Sequence, residues 1–360
     1  MASIVSDLEG PSFTVSRKAL ARELDRLGPF FGSNVVLAAE DDALVIIDGP
    51  GATRTVELVI DARVHRAGAL GVRRFQARRW LDTGEDELAI DASESNARSL
   101  FGTAQLVDRS TVRRVEDDGV ALEIAARDLL RACARTSLRI AAGVVIDARG
   151  WFSLELAGDG YAQLACGGRE LAIDRARVAA PSAVAASRIT LVDTAPSWIH
   201  SLASEDRSAD VRVSLGSERA VFRTKTAALA IDRAAVDPVD ARARLDAVLA
   251  SAPRKPMYFE PRVLRSAIEK LVRGTQVETI TIDRARGGRI LLHTSRGDAL
   301  AVVGGALPSE PLRFDKRALL TALEAIDEEL EAELLLGSAV DPAVLRSGDF
   351  VLVIATRAAT

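Results

Sequence analysis

Three histidines, His65, His200 and His293, lie in three separate segments, each without a carboxylate or cysteine at ligand spacing, so no zinc or Cys/His site is expected. Each reads as a surface or half-buried structural residue. The two cysteines, Cys133 and Cys166, form neither a CxxC pair nor a disulfide framework, which points to a reducing compartment and a cytoplasmic protein. Glycines cluster at Gly49–Gly51, Gly158–Gly160, Gly167–Gly168, Gly287–Gly288 and Gly304–Gly305, but none spells GxGxxG or GxxxxGK[ST], so no phosphate cradle is read. Glu40-Asp41-Asp42 and Glu116-Asp117-Asp118 have the chemistry to hold a divalent ion, yet they sit beside expected turns, where a solvated loop is the simpler account. GxSxG, HExxH and kinase-type sets are absent. The expectation is therefore no metal, no cofactor and no catalysis, but a binding or scaffolding role.

The elements that would position such a role follow from composition and repetition. The chain has 360 residues, 48% hydrophobic and 27% charged, a soluble globular mix with room for two or three domains. Its longest apolar runs, such as Asn34–Ala39 and Phe350–Ala355, are of strand length, and no signal peptide or membrane association is read. Three stretches, Asp86–Phe101, Ala209–Arg223 and Ala332–Arg346, each read as a strand, a polar turn and a second strand. Short helical segments precede them at Phe75–Leu81, Pro196–Leu202 and Lys316–Ile326, the last with Leu319, Leu320, Leu323 and Ile326 on one face. Upstream, Asn34–Asp48, Gly143–Leu156 and Glu278–Thr294 read as hairpins, each after a helix at Arg17–Leu27, Ala126–Arg135 and Pro261–Arg273. One unit thus occurs three times, starting near Phe13, Leu122 and Phe259, and its size makes it a domain and not a solenoid repeat. Boundaries fall in Val112–Gly119 and in Val236–Pro256, where Pro238, Pro253 and Pro256 are expected to interrupt any regular element. The fold class is α+β, with three repeated domains at 1–118, 119–245 and 246–360.

Charge is unevenly placed. With 47 Lys and Arg against 51 Asp and Glu the chain carries −4. The six expected helices, Arg17–Arg26, Arg73–Leu81, Ala126–Thr136, Ala195–Ser204, Pro261–Arg273 and Asp315–Asp327, hold 17 basic and 7 acidic residues, a net of +10, and the remainder carries −14. Basic helices in an acidic chain fit one surface that meets phosphate while the rest repels it. Aromatic residues make up only 4% and are not interleaved with the cations, so single-strand stacking is not indicated. Sequence-independent contact with duplex phosphates remains.

This pattern resembles the bacterial DNA sliding clamp, the β subunit of DNA polymerase III. The resemblance runs from Phe13 to Arg357: Phe13-Thr-Val-Ser-Arg-Lys-Ala-Leu20 is similar to the clamp's opening strand and helix, and Phe350-Val-Leu-Val-Ile-Ala-Thr-Arg357 to its final strand, usually Val-Val-Met-Pro-Met-Arg-Leu. Gly143-Val-Val-Ile to Gly158-Asp-Gly160 resembles the central hairpin that ends in the clamp's Thr-Asp-Gly-His-Arg-Leu-Ala motif.

The resemblance implies a non-catalytic processivity factor. Two chains would close head to tail into a six-domain ring around double-stranded DNA, opened by a clamp loader. The ring would tether DNA polymerase or repair proteins that carry a short linear motif. It implies that Arg22, Arg26, Arg73, Arg78, Arg127, Arg131, Arg265 and Lys270 contact DNA. It assigns Gly160, Tyr161, Leu164, Pro238, Arg242, Leu352, Val353, Ile354 and Arg357 to the partner-peptide pocket, and Phe101, Leu271 and Arg273 to the dimer interface. Departures are visible: Tyr161, Ala162 and an extra Gln163 replace the motif's His-Arg pair, Ile354-Ala355-Thr356 replaces Met-Pro-Met, and Phe30-Phe31-Gly32-Ser33-Asn34 replaces Pro-Ile-Leu-Gly-Asn. A stiff β-branched pocket would be more selective than a methionine-lined one. The alternative is a clamp-fold scaffold or inhibitor that binds partners without encircling DNA, favoured by the uncharged fourth helix and the acids of Asp315–Asp327.

Overall fold

The computed structural model describes residues 10–27, 34–48, 53–83, 85–92, 104–117, 119–141, 150–156, 160–167, 171–178, 187–204, 209–235, 240–274, 276–287, 289–295, 297–326, 330–338 and 341–357. The first stretch of chain runs β1 (Ser12–Ser16), α1 (Arg17–Arg26), β2 (Asn34–Glu40), β3 (Ala43–Asp48), β4 (Arg54–Arg66), β5 (Gly68–Arg73), α2 (Arg74–Arg79), a 3-10 turn at Trp80–Thr83, β6 (Glu87–Asp91) and β7 (Gln105–Val107). The second runs β8 (Val120–Ala125), α3 (Ala126–Ala141), β9 (Trp151–Leu156), β10 (Tyr161–Gly167), β11 (Leu171–Arg177), β12 (Ser187–Val192), α4 (Ala195–Ala203), β13 (Asp210–Leu215), β14 (Arg219–Arg223) and β15 (Ala227–Asp232). After α5 (Ala241–Ala250), the third begins with β16 (Lys255–Phe259), α6 (Pro261–Val272), β17 (Thr279–Arg284), β18 (Arg289–Thr294) and β19 (Gly297–Val302). It ends with β20 (Gly304–Gly305), β21 (Leu312–Asp315), α7 (Lys316–Ala325), β22 (Ala332–Leu336), β23 (Ala343–Ser347), β24 (Phe350–Ile354) and β25 (Thr356–Arg357).

Strand pairing repeats with the sequence. In each stretch the opening strand pairs with the strand that follows the second helix: β1 with β6, β8 with β13, β16 with β22. The three-strand meanders β2-β3-β4, β9-β10-β11 and β17-β18-β19 are antiparallel, and the first strand of each also pairs with the strand just before the second helix, β5, β12 or β21. The last strand of a meander then joins the closing strand of the next stretch, in β4–β15 and again in β11–β24. The fold is α+β with antiparallel sheets.

Two compact units result. One comprises Met1–Ala126 with Ser197–Arg233 and holds a single 11-stranded sheet, β7-β5-β2-β3-β4-β15-β14-β13-β8, with β1 set between β4 and β6. Phe13, Leu20, Leu24, Leu37, Ile46 and Phe222 are fully buried in it. Along this unit the segment 108–117 is fastened by Glu57 of β4, itself 3% exposed: Arg114 Nε and Nη2 donate to its carboxylate at 3.0 and 2.7 Å, and the Val115 N–H donates at 3.0 Å. Burial alone would raise the Glu57 pKa, but these hydrogen bonds and the charges of Arg114 and Arg223 outweigh it and hold the carboxyl below its usual range.

The other unit comprises Arg127–Pro196 with Ala234–Thr360 and holds a nine-stranded sheet, β12-β9-β10-β11-β24-β23-β22-β16-β20, and a five-stranded one, β19-β18-β17-β21-β25. One face of the larger sheet buries Ala172, Met257, Leu334, Leu345, Leu352 and Ile354 in a core shared with α6, α7 and the smaller sheet. The opposite face carries Leu171, Val353, Val344 and Leu335, which are mutual neighbours across β11, β24, β23 and β22 and lie under α5.

The structure corrects three sequence expectations. The Val236–Pro256 stretch contains α5, because Pro238 and Pro253 flank the helix without entering it and Asp240 caps it, accepting the Ala243 N–H at 2.8 Å. The hairpin expected at Gly143–Leu156 is instead formed by β9 and β10; residues 143–149 lie outside the described residues. The helix begun at Ala126 continues to Ala141. The second strand expected within Asp86–Phe101 falls largely outside the described residues.

Candidate nucleic-acid and partner interfaces

In the first unit Ser16 caps α1, and Leu20 and Leu24 anchor it. Beside them Glu23, 1% exposed, accepts Arg22 Nε at 2.8 Å and Arg26 Nη1 at 3.2 Å, while Arg26 Nη2 donates to the Leu202 carbonyl at 2.6 Å. Arg26 is thereby turned inward, its side chain only 5% exposed, and acts as a structural cation. Arg22 stays 65% exposed. Arg78 pairs with Asp25, and Arg73 at the start of α2 is exposed.

In the second unit α3 presents Arg127 and Arg131 to solvent, with Arg131 3.4 Å from Asp128 and donating to the Arg175 carbonyl at 3.3 Å. Helix α6 starts at Pro261 and buries Leu264 and Ile268, which turns Arg265 and Lys270 away. Arg265 contacts Glu269 at 2.8 Å and Glu324 at 3.8 Å. Five of the eight expected DNA cations thus have carboxylate neighbours. Arg73, Arg127 and Lys270 are exposed and form no ion pair among the described residues.

The expected peptide pocket divides. Val353 lies under α5 with Leu171, Ile173 and Trp151, and Arg242 is exposed on the same helix. Leu352 and Ile354 alternate to the opposite face, into the other core. Leu164 is fully buried, one residue out of phase with Ala165 of the α5-side cluster. Gly160, at φ 85°, accepts the Val178 N–H at 3.0 Å, and Tyr161 faces Arg177 across the strand beneath the Arg175 guanidinium. None of these three joins the α5-side cluster. Leu171, at the start of β11, is the residue that opposes Val353 of the last strand. Pro238 lies outside the described residues, and Arg357 is in β25, opposite Arg313.

Of the expected dimer residues, Leu271 packs partly against the core and Arg273 is exposed, whereas Phe101 lies outside the described residues. Cys133 and Cys166 are buried; burial, then the charges of Asp174 and Cys166, push the Cys133 thiol well above its ordinary range. Among the described residues no three His, Cys, Asp or Glu side chains gather as a metal site, and no helix is long and apolar enough to cross a membrane.

No protein-family model matches the sequence, and no curated protein matches it. Solved structures do. The DNA polymerase sliding clamp of Bacillus subtilis shares 10% identity at a TM-score of 0.78 over 98% of this chain and 100% of its own. The DNA polymerase III subunit beta of Pseudomonas aeruginosa shares 16% at 0.76 over 97% and 100%. A putative beta subunit from Eubacterium rectale shares 13% at 0.77 over 96% and 99%. Over nearly its whole length, the chain has the fold of the DNA polymerase III beta sliding clamps, at 10–16% sequence identity.

Proposed function

We propose that the protein is a non-catalytic, cytoplasmic sliding clamp with three domains, 1–118, 119–245 and 246–360, whose homodimer encircles double-stranded DNA and tethers polymerase or repair proteins. One observation carries this reading. The meander-to-closing-strand joint is made twice within the chain, at β4–β15 and β11–β24, and the third meander ends at β19, an edge strand with Leu300 55% exposed. An open edge of this kind is a ready template for the closing strand of another copy. Leu271, Arg273 and Phe101 would belong to that joint. Arg73, Arg127 and Lys270 would make the principal phosphate contacts, with Arg22, Arg78, Arg131 and Arg265 contributing once their carboxylate partners are displaced. An ATP-driven loader would open the ring.

The test is topological. After loading, the protein should stay on nicked circular duplex, elute with a mass twice its 38.4 kDa chain, and slide off once the circle is cut. A monomer that ignores DNA topology would support the second reading, a clamp-fold scaffold. That reading is favoured by the carboxylates already engaging five of the eight cations.

A further inference from the structure

The joints β4–β15 and β11–β24 each carry a cover on one face of the sheet. Over the first, segment 108–117 packs Val115 on Val221, Ala228 and Ala230. Over the second, α5 packs Ala241 and Leu245 on Leu171, Val353, Val344 and Leu335. The two covers are fastened differently. Segment 108–117 is pinned from below, since buried Glu57 of β4 takes Arg114 by two hydrogen bonds and the Val115 N–H by a third. Helix α5 is fastened around its ends. At its start the Asp240 carboxylate accepts Arg188 Nη2 at 3.3 Å, with the arginine side chain 27% and the aspartate 47% exposed. Past its end Arg254 donates to the Val248 carbonyl at 3.0 Å and to the Pro342 carbonyl between β22 and β23. Between these, Arg244 stands 6.0 Å from the Trp151 ring, at the outer limit of a cation–π contact.

These fastenings are weak ones. A half-exposed ion pair adds little, and Arg254 is a cation held by carbonyls, its Nε buried with no hydrogen-bond partner among the described residues. Of the ten residues of α5, six are exposed and Ala241 and Leu245 alone are buried. Ten residues are too few to keep a helix in water without such packing. We propose that α5 is a strap: it lifts from the β11–β24 joint and unwinds as one local unit, uncovering Leu171, Val353, Val344 and Leu335 while the sheet beneath stays folded, whereas 108–117 stays down. Access to the stripe is then set by the strap and not by the sheet. Reading the uncovered stripe as the floor of the partner-peptide pocket, with Val353 in it and Arg242 on the strap, rests on the tethering function; the lifting itself needs neither a ring nor DNA.

The experiment places one thiol under each cover. Val344→Cys and Val221→Cys, at valines 0% and 1% exposed, are made separately in the full chain and alkylated with iodoacetamide without denaturant. Peptide mass spectrometry follows each position and separates it from Cys133 and Cys166. The thiol at 344 should react roughly tenfold faster, or more, than the thiol at 221. Asp240→Ala and Arg254→Ala should each quicken the reaction at 344 about threefold or more and leave that at 221 unchanged, with Arg254→Lys between Arg254→Ala and the parent. Hydrogen exchange on the unsubstituted chain is the second measurement, and the α5 amides should open with a weaker urea dependence than those of β24. The proposal is overturned if position 344 reacts no faster than 221, if neither substitution at the ends of α5 quickens it, or if α5 and β24 exchange together with one urea dependence. Because retention on circular DNA is measured separately, a strap that lifts on a protein that is not retained removes only the clamp reading, and a retained protein whose strap stays down removes only this one.

Discussion

The two compact units treat their buried carboxylates differently. In the first, Glu23 holds two guanidinium groups and Glu57 is gripped by Arg114 through a two-pronged fork. In the second, Asp174, fully buried, has Arg135 no nearer than 3.5 Å and the Arg175 N–H at 2.9 Å. The outcome changes sign with that geometry. Burial raises Asp174 above its usual range despite Arg135 and Arg131, whereas Glu57 is lowered. Proximity of an arginine does not decide a carboxylate's state; short, well-aimed hydrogen bonds do. The same geometry bears on function, because the first unit spends cations on its interior while α3 and α6 keep Arg127 and Lys270 outward.

The largest effect should come from Glu23→Gln, which strands Arg26 in the interior and should cost about 3–5 kcal/mol in urea unfolding. Glu57→Gln, with Arg114 one-third exposed, should cost less, about 2–3 kcal/mol. Asp174→Asn should change stability by no more than about 1 kcal/mol and gain at neutral pH, since it removes a carboxylate that folding disfavours. Equal losses at all three positions would erase the contrast.

Acid sharpens it. Glu57 has a folded pKa below its ordinary 4.5, so its contribution is complete above 4.5 and fades as pH falls through the folded value. Asp174 has a folded pKa above its ordinary 3.8, so its contribution is complete below 3.8 and is lost as pH rises through the folded value. Unfolding curves at pH 7 and pH 3.5 should therefore show Glu57→Gln approaching the parent in acid and Asp174→Asn approaching it from the stable side.

Smaller effects separate inward from outward cations. If the ring holds DNA, alanine at Arg73, Arg127 or Lys270 should each lower the slope of log affinity against log salt by about 0.9 without changing stability. Arg26→Lys should leave the slope unchanged and reduce stability. The least effect is expected for Glu269→Gln, under about 1 kcal/mol, because its pair with Arg265 is solvent-exposed.

Much of the fold was legible because alternation and helical spacing recur: the bounds of α1 and the hairpins β2–β3, β13–β14 and β17–β18 follow from apolar periodicity alone. Helix α5 was hidden by the prolines around it, although Asp240 three residues before Ala243 is a capping signal. Leu-Ala occurs twice, at Leu164-Ala165 and Leu171-Ala172, and only strand register tells that Leu171 is the one opposite Val353. Cation counts showed where charge is concentrated. They could not show that Arg26 points inward, which depends on a carboxylate three residues earlier being buried.

Gly167 lies flat on the indole of Trp151, where a Cβ would come within 2.0 Å of the ring. Neither residue can drift alone: a methyl at 167 has no room while the tryptophan stays, and a smaller residue at 151 leaves a hole while the glycine stays. Lineages that alter one should carry a compensating change in the other, so this contact beneath α5 should vary only as a pair.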